Sequence, residues 1–304
     1  MQLKAQTKWG WMIAAYLFLA GLGGGAYVTG VVTDFLGEDW SSLSKIGVTL
    51  GFPCVFVGTM FLITDLGTPA NFWRAFMRPR TSWVARGTII IMTFMVISII
   101  HLGLWVWPFH VLDEAETARH VVGIVGAVFA FGTMIYTGLL LGANRPIAFW
   151  STALVPVMFL VSALSTGAMA VILAGIIGGL EHAGPISRLA RFDIILLALE
   201  VVVITMYLQA THRVPESRES ARLVLTGNVA PLFWLGVVLC GLIIPLVLEL
   251  VGVYALEGSG ATAVTVVAAV SGLFGGLCLR QVVLSGGVQA PLRASRFEFG
   301  LPIV

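Results

Sequence analysis

Long apolar runs separated by short polar connections fill the chain from one end to the other. Crossing about 30 Å of hydrocarbon takes about 20 predominantly apolar residues in a helix. Eight segments reach that length with little charge, over roughly residues 9–33, 46–66, 87–109, 119–141, 150–179, 190–212, 229–251 and 262–286. None alternates apolar and polar positions with the period of two of an outer-membrane strand. The pattern predicts an all-α integral membrane protein with eight transmembrane helices, spans 1 to 8. The longest polar connection begins at Thr211 and separates span 6 from span 7. The opening apolar run follows Lys4 and Lys8. It exceeds the roughly 7 to 15 residues of a signal-peptide core, so it reads as a retained first span. Gly21 with Gly25, Gly175 with Gly179 and Gly272 with Gly276 are small-residue pairs suited to close helix contact.

Composition narrows the class further. Hydrophobic residues make up 58% of the 304 positions and charged residues only 11%, with a mean hydropathy of +0.99. Soluble domains carry about 25% charge, so a soluble enzyme, a disordered chain and a nucleic-acid binder are all excluded. Cys54, Cys240 and Cys278 lie far apart, without CxxC, CxxCH or Cys/His ligand spacing. No intrinsic haem, iron–sulfur cluster or metal is therefore expected. A membrane haem needs two facing histidines, and only His101 lies deep in a span.

The distribution of charge says more than the net value of +2. An even span number puts both termini on one side, together with the 2–3, 4–5 and 6–7 loops. That side carries 13 of the 17 cations, including Lys4, Lys8, Arg74, Arg78, Arg80, Arg86, Arg145, Arg213 and Arg280. Cytoplasmic loops hold the excess of Lys and Arg, so both termini are expected in the cytoplasm of a prokaryotic inner membrane. The opposite side is acidic at Asp34, Glu38, Asp39, Asp113, Glu114 and Glu116.

Ionisable groups inside a span cost about 2.5 to 3.5 kcal/mol each on insertion scales, which makes them candidates for function. Glu200 sits mid-span, and Asp193 lies two helical turns earlier on the same face. His101 is past the middle of span 3, and Glu249 lies near the outer end of span 7. They suit a proton relay. A protonated acid bonded to another helix, or a histidine satisfied by a carbonyl, would be a purely structural use. On the cationic side, Trp9, Trp11, Tyr16, Asp65, Tyr136, Arg280 and Gln281 converge from several span ends. Aromatic walls with a few polar groups suit a flat apolar ligand, or else form an ordinary interfacial belt.

The segment DLGTPANFWRAFMRPRTSWVARG, from Asp65 to Gly87, resembles the signature of the polysulfide reductase NrfD/PsrC family: Asp-Leu-Gly-x-Pro, Phe-Trp, Pro-Arg-x-Ser-Trp and Arg-Gly. Similarity continues through YLFLAGLGGGAYVTG, TGLLLGANRPIAFWSTALVPVMFLVSALSTG, FDIILLALEVVVITMYL and LRQVVLSGG, in family order over nearly the whole chain. Members anchor respiratory oxidoreductase complexes in the membrane. The resemblance implies one PsrC-like domain over 1–304, with four-helix bundles at 1–141 and 150–286 and a tail at 287–304. It also implies an exchangeable menaquinone or ubiquinone, and a ferredoxin-like iron–sulfur subunit of NrfC/PsrB type serving a molybdopterin catalytic subunit.

By the same resemblance, Tyr136 matches the tyrosine that contacts quinone. Tyr16 stands where PsrC has a histidine, and Ile13 where it has an asparagine. Asp65 matches an aspartate that takes part in protonation or holds Arg74 or Arg86, and Asn144 and Arg145 complete the pocket. Arg74, Arg78, Arg80, Ser82, Trp83 and Arg86 belong to the partner-facing loop, which the charge count puts in the cytoplasm unless those arginines serve the interface itself. The function implied is electron exchange between the quinone pool and the iron–sulfur subunit, with coupled proton translocation through His101, Asp193, Glu200 and Glu249. The rival readings are a proton or ion transporter without a redox partner, and a purely structural anchor.

Overall fold

A computed structural model describes residues 6, 9–65, 77, 80, 82–143, 146–180, 184–211, 214–289, 292–294 and 297–299. Its long helices are α1 (Trp11–Asp34), α2 (Ser41–Thr64), α3 (Trp83–Trp105), α4 (Glu116–Gly142), α5 (Leu154–Ile177), α6 (Pro185–Ala210) and α9 (Gly258–Ser285). Between α6 and α9 lie a short helix α7 (Pro215–Thr226), a π-helical stretch Leu232–Ile243 and helix α8 (Ile244–Tyr254). Two three-residue strands in the tail, β1 (Leu292–Ala294) and β2 (Phe297–Phe299), pair antiparallel.

Among the described residues, seven segments are long and apolar enough to cross a membrane. They are α1, Glu38–Thr64, α3, α4, α5, Leu232–Tyr254 and α9. The protein is thus a multi-pass helical membrane protein. The sixth expected span corresponds to α6, whose 26 residues stand outside those seven.

α1 occupies the centre, packed on α2, α4, α5 and α9. Small residues make this possible. A Cβ added at Gly25 would lie 1.9 Å from the Ala163 carbonyl oxygen of α5, and one at Gly167 would lie 2.3 Å from the Gly25 carbonyl carbon. Lipid supplies no hydrophobic drive for helix association, so such close backbone approach carries the packing. Gly272 and Gly276 play the same part on α9 against Met169 and Thr166. Gly179 differs from the expectation: it has φ +90° and no neighbour for a Cβ within 4 Å. Its N–H bonds Ile176 O at 3.0 Å and Leu180 N–H bonds Gly175 O at 3.0 Å. That pattern ends α5 in a left-handed cap that favours glycine.

Three local boundaries also depart from the hydrophobic pattern. α3 starts at Trp83, earlier than expected, because the Ser82 hydroxyl caps it by accepting from Ala85 N–H at 3.4 Å. Span 7 is not one α-helix. Pro245 lacks a backbone donor and in a regular helix would press on the carbonyl of Gly241, which the wider π stretch before it avoids. The polar 6–7 connection contains α7, which buries Ser217, Ser220, Ala221 and Val224 at helical spacing.

Both ends of the described residues meet on one side. Gln6 N–H donates to Gly287 O at 2.8 Å, and its side-chain amide donates to Leu284 O at 3.0 Å. Beside them Trp150 Nε1 donates to Val283 O at 2.7 Å while its ring lies 5.3 Å from that of Trp9. On the opposite side, Lys45 pairs with Asp113 at 2.9 Å and Arg119 with Asp34 at 2.9 Å.

Candidate functional site

The side of the molecule holding the termini carries the aromatic constellation. Tyr16 lies two turns into α1 and Tyr136 lies near the end of α4, so both sit at similar depth on that side. They are 0% and 4% exposed and lie within electrostatic reach of one another. The Tyr136 ring packs directly on Gly87 of α3, where an added Cβ would fall 1.7 Å from its Cζ. The Tyr16 hydroxyl is buried and has no hydrogen-bond partner among the described residues. A buried donor left unmade costs about 1 to 3 kcal/mol, so this hydroxyl is a defect unless something else completes it. Ile13 is buried on the same helix. Trp11, Met77 and Trp83 are exposed around this end, with Arg86 lying 4.9 Å over the Trp83 ring and bonding Arg80 O at 2.8 Å. Asp65 caps the end of α2 and is half-buried. Arg74, Arg78, Asn144 and Arg145 lie outside the described residues.

A second polar group occupies α5, α6, α8 and α9. Asp193, Glu200, Glu249 and Arg280 are 0%, 5%, 1% and 1% exposed. Ser165 and Glu249 are the side chains facing Asp193, yet neither of its carboxylate oxygens closes a hydrogen bond of ordinary length. Ser162 faces Glu200, and Glu200 and Arg280 act on one another electrostatically. The Arg280 guanidinium bonds the Ser162 hydroxyl, Gly276 O at 3.1 Å and Phe159 O at 3.4 Å. A small interior cavity of about 10 Å³ is lined by Ser162, Ser165, Thr166, Glu200, Gly241 and Gly276, among others. That is about the room one water centre needs, and the lining offers it polar partners.

Arg280 was expected at the cationic surface with Gln281, but it is enclosed. The signal was present in the sequence: Gly276 stands one turn before it on the same face and leaves space for a long side chain to fold back. His101 is buried at 1% exposure, but in a different place from the acids. Its Nδ1 is 2.8 Å from the Tyr27 hydroxyl, its ring stacks on Trp105 at 5.3 Å, and the charges acting on it are those of Asp34 and Arg119. It lies on α3, which packs on α2 and α4, whereas the acids lie on α6 and α8. The structure therefore does not join His101 to Asp193, Glu200 and Glu249. Among the described residues, no cluster of three His, Cys, Asp or Glu side chains could hold a metal.

A central glycine-packed helix, a pair of buried tyrosines and a set of enclosed charges define a polytopic membrane protein built around polar chemistry in its interior. Over residues 1–291 the sequence matches the family described as polysulphide reductase, NrfD, and the protein belongs to that family. It is 29% identical over 262 residues to one of the chains of the polysulfide reductase of Wolinella succinogenes, an alignment covering 79% of this sequence and 82% of that one. It is 27% identical over 308 residues to protein NrfD of Escherichia coli, covering 92% and 94%. One of the subunits of the selenate reductase of Mesobacillus selenatarsenatis is 24% identical, over 95% of this sequence and 76% of its own.

Proposed function

We propose that this protein is the quinone-reactive membrane subunit of a respiratory oxidoreductase, exchanging electrons between menaquinone or ubiquinone and a ferredoxin-like iron–sulfur subunit. The observation that carries this reading is the buried, unpartnered hydroxyl of Tyr16 beside Tyr136, in a member of the NrfD family. A ring carbonyl is the acceptor such a donor lacks, and apolar surroundings suit the rest of a quinone. Both tyrosines are closely packed, so entry of a ring displaces neighbouring side chains. Each quinol oxidised gives up two electrons and two protons. The electrons leave for the iron–sulfur neighbour, and Asp65 and the surface-facing groups of this side receive the protons. The partner docks on the loop of Arg80, Ser82, Trp83 and Arg86, a face the charge count puts in the cytoplasm together with both termini. The iron–sulfur partner in turn serves a molybdopterin subunit.

The same reading counts α6 as an eighth span and divides the spans into two four-helix bundles. Phe192, Ile195, Leu199, Val202 and Met206 are exposed at spacings of three and four, which is a lipid-facing stripe, while Asp193 and Glu200 face inward. Asp193, Glu200 and Glu249 with the adjoining cavity line a route for protons, which favours coupled translocation as a second activity. His101 with Tyr27 would form a separate outer branch. In the intact complex, Tyr16→Phe with Tyr136→Phe should lower quinol turnover at least about tenfold, equal to about 1.4 kcal/mol of barrier, while subunit assembly is retained. Unchanged turnover would leave a structural anchor. Ion transport by the isolated protein, with no redox partner, would establish the transporter instead.

A further inference from the structure

The buried ionisable groups of the second half differ in their company. Glu200 on α6 faces Ser162 of α5 and Arg280 of α9. Arg280 is the one Lys or Arg fully buried among the described residues, and Glu200 is the carboxylate that acts on it. A buried guanidinium must keep its charge, because arginine does not deprotonate in proteins, and its removal from water is tolerable only beside an opposite charge. Asp193 is in the other situation. The groups facing it are Ser165 of α5, Glu249 of α8 and Glu200 two turns along its own helix, with no cation among them. Glu249 in turn faces Asp193. Two carboxylates at such close quarters cannot both ionise. Asp193 is fully enclosed, and among the described residues neither of its oxygens nor one Glu249 oxygen closes a hydrogen bond; a proton held between the two acids is what would complete them.

We propose that these acids form two distinct devices: Glu200 is an ionised carboxylate that faces Arg280 across Ser162 at the seam of α5 and α9, without a direct salt bridge to it, and Asp193 with Glu249 is a proton-holding carboxyl pair. This refines the proton route proposed above. The pair on the outer half stores and releases a proton, and the Arg280–Glu200 dipole with the water-sized cavity sets the electrostatic step beyond it. Ser165, which faces Asp193 and lines the cavity, links the two.

The test is infrared spectroscopy of the full-length protein at neutral pH in ester-free detergent, with isotope-labelled aspartate and glutamate. It needs neither quinone nor partner, so its failure is distinguishable from failure of the quinone reading. Wild-type-minus-variant spectra should show loss of a carboxylic-acid C=O stretch in Asp193→Asn or Glu249→Gln, and loss of only carboxylate intensity in Glu200→Gln. Arg280→Gln should create a new C=O stretch that a second change, Glu200→Gln, removes, whereas Arg280→Lys should create none. A C=O stretch lost on Glu200→Gln in the native background would overturn the proposal. So would loss of carboxylate bands alone from both Asp193→Asn and Glu249→Gln. Should Arg280→Gln fail to fold, the three carboxyl variants still decide.

Discussion

On α1, α3 and α4 themselves the buried polar side chains are neutral hydroxyls and one imidazole: Tyr16, Tyr27, Thr29, Thr33, Ser98, His101, Thr133, Tyr136 and Thr137. Around α5, α6, α8 and α9 they include Arg280 and three acids. Neutral groups leave a site able to receive an uncharged ring without first breaking an ion pair. Charged groups, each costly to bury, make sense where charge is to be moved or held. The contrast teaches that one continuous helical scaffold encloses two kinds of polarity, and that difference is what separates the proposed quinone site from the proposed proton route.

The contrast is broken most sharply by Glu200→Leu. This change removes the carboxylate that acts on the buried Arg280 and should destabilise the protein by up to about 3 to 5 kcal/mol, the cost of leaving a buried charge uncompensated, read by denaturant unfolding in detergent. Its counterpart among the neutral groups, Tyr16→Phe, deletes a buried hydroxyl that has no partner among the described residues and should leave stability unchanged or raise it by up to about 1 to 3 kcal/mol. Equal losses from the two would erase the distinction. Next in size is Gly87→Ala, whose new methyl meets the Tyr136 ring; overpacking of this kind costs about 1 to 3 kcal/mol and should weaken binding at the proposed quinone site with it. Tyr27→Phe removes a single 2.8 Å hydrogen bond to His101 and should cost about 1 kcal/mol.

The smallest effect belongs to the solvent-facing pair Lys45 with Asp113, where Lys45→Ala should change stability by under about 1 kcal/mol and less at high salt. The Lys45 ammonium bonded to Asp113 holds that carboxyl below its usual range. A depressed carboxylate contributes stability above its unfolded value of about 3.9 and loses it as pH falls through the folded value. The difference between native and Lys45→Ala proteins should therefore be full at neutral pH, shrink as pH falls below about 4, and vanish once pH is below the folded value.

Much of this architecture was legible in the sequence because lipid enforces a simple rule of length and apolarity. The positions of α1 to α5 and α9 follow from that rule alone. What it misses has local causes: the Ser82 cap that starts α3 a turn early, the π stretch ahead of Pro245, and the amphipathic α7 hidden in a polar connection. The candidate site was partly legible. Tyr16 and Tyr136 could be grouped by their depth at the cationic ends of two spans and by the family resemblance, and Asp193 with Glu200 by helical spacing. The pairing of Arg280 with Glu200 depends on which faces of α6 and α9 meet, and hydropathy does not record that. His101 was grouped with the acids by depth alone, and depth says nothing about which neighbour lies across the bilayer plane.

The π stretch Leu232–Ile243 carries a consequence for insertions and deletions. A helix of this kind holds surplus residues, so removing a single one should tighten it toward α geometry instead of unravelling it. The slack is taken up inside the stretch, so the residues beyond it keep their facing and Glu249 stays against Asp193, whereas the same deletion in the regular part of α8 ahead of Glu249 would swing that side chain by about 100°, one residue's step around a helix. A one-residue deletion in the π stretch should thus spare both the fold and the carboxyl pair, which makes this stretch a reserve of slack ahead of the outer half of the molecule.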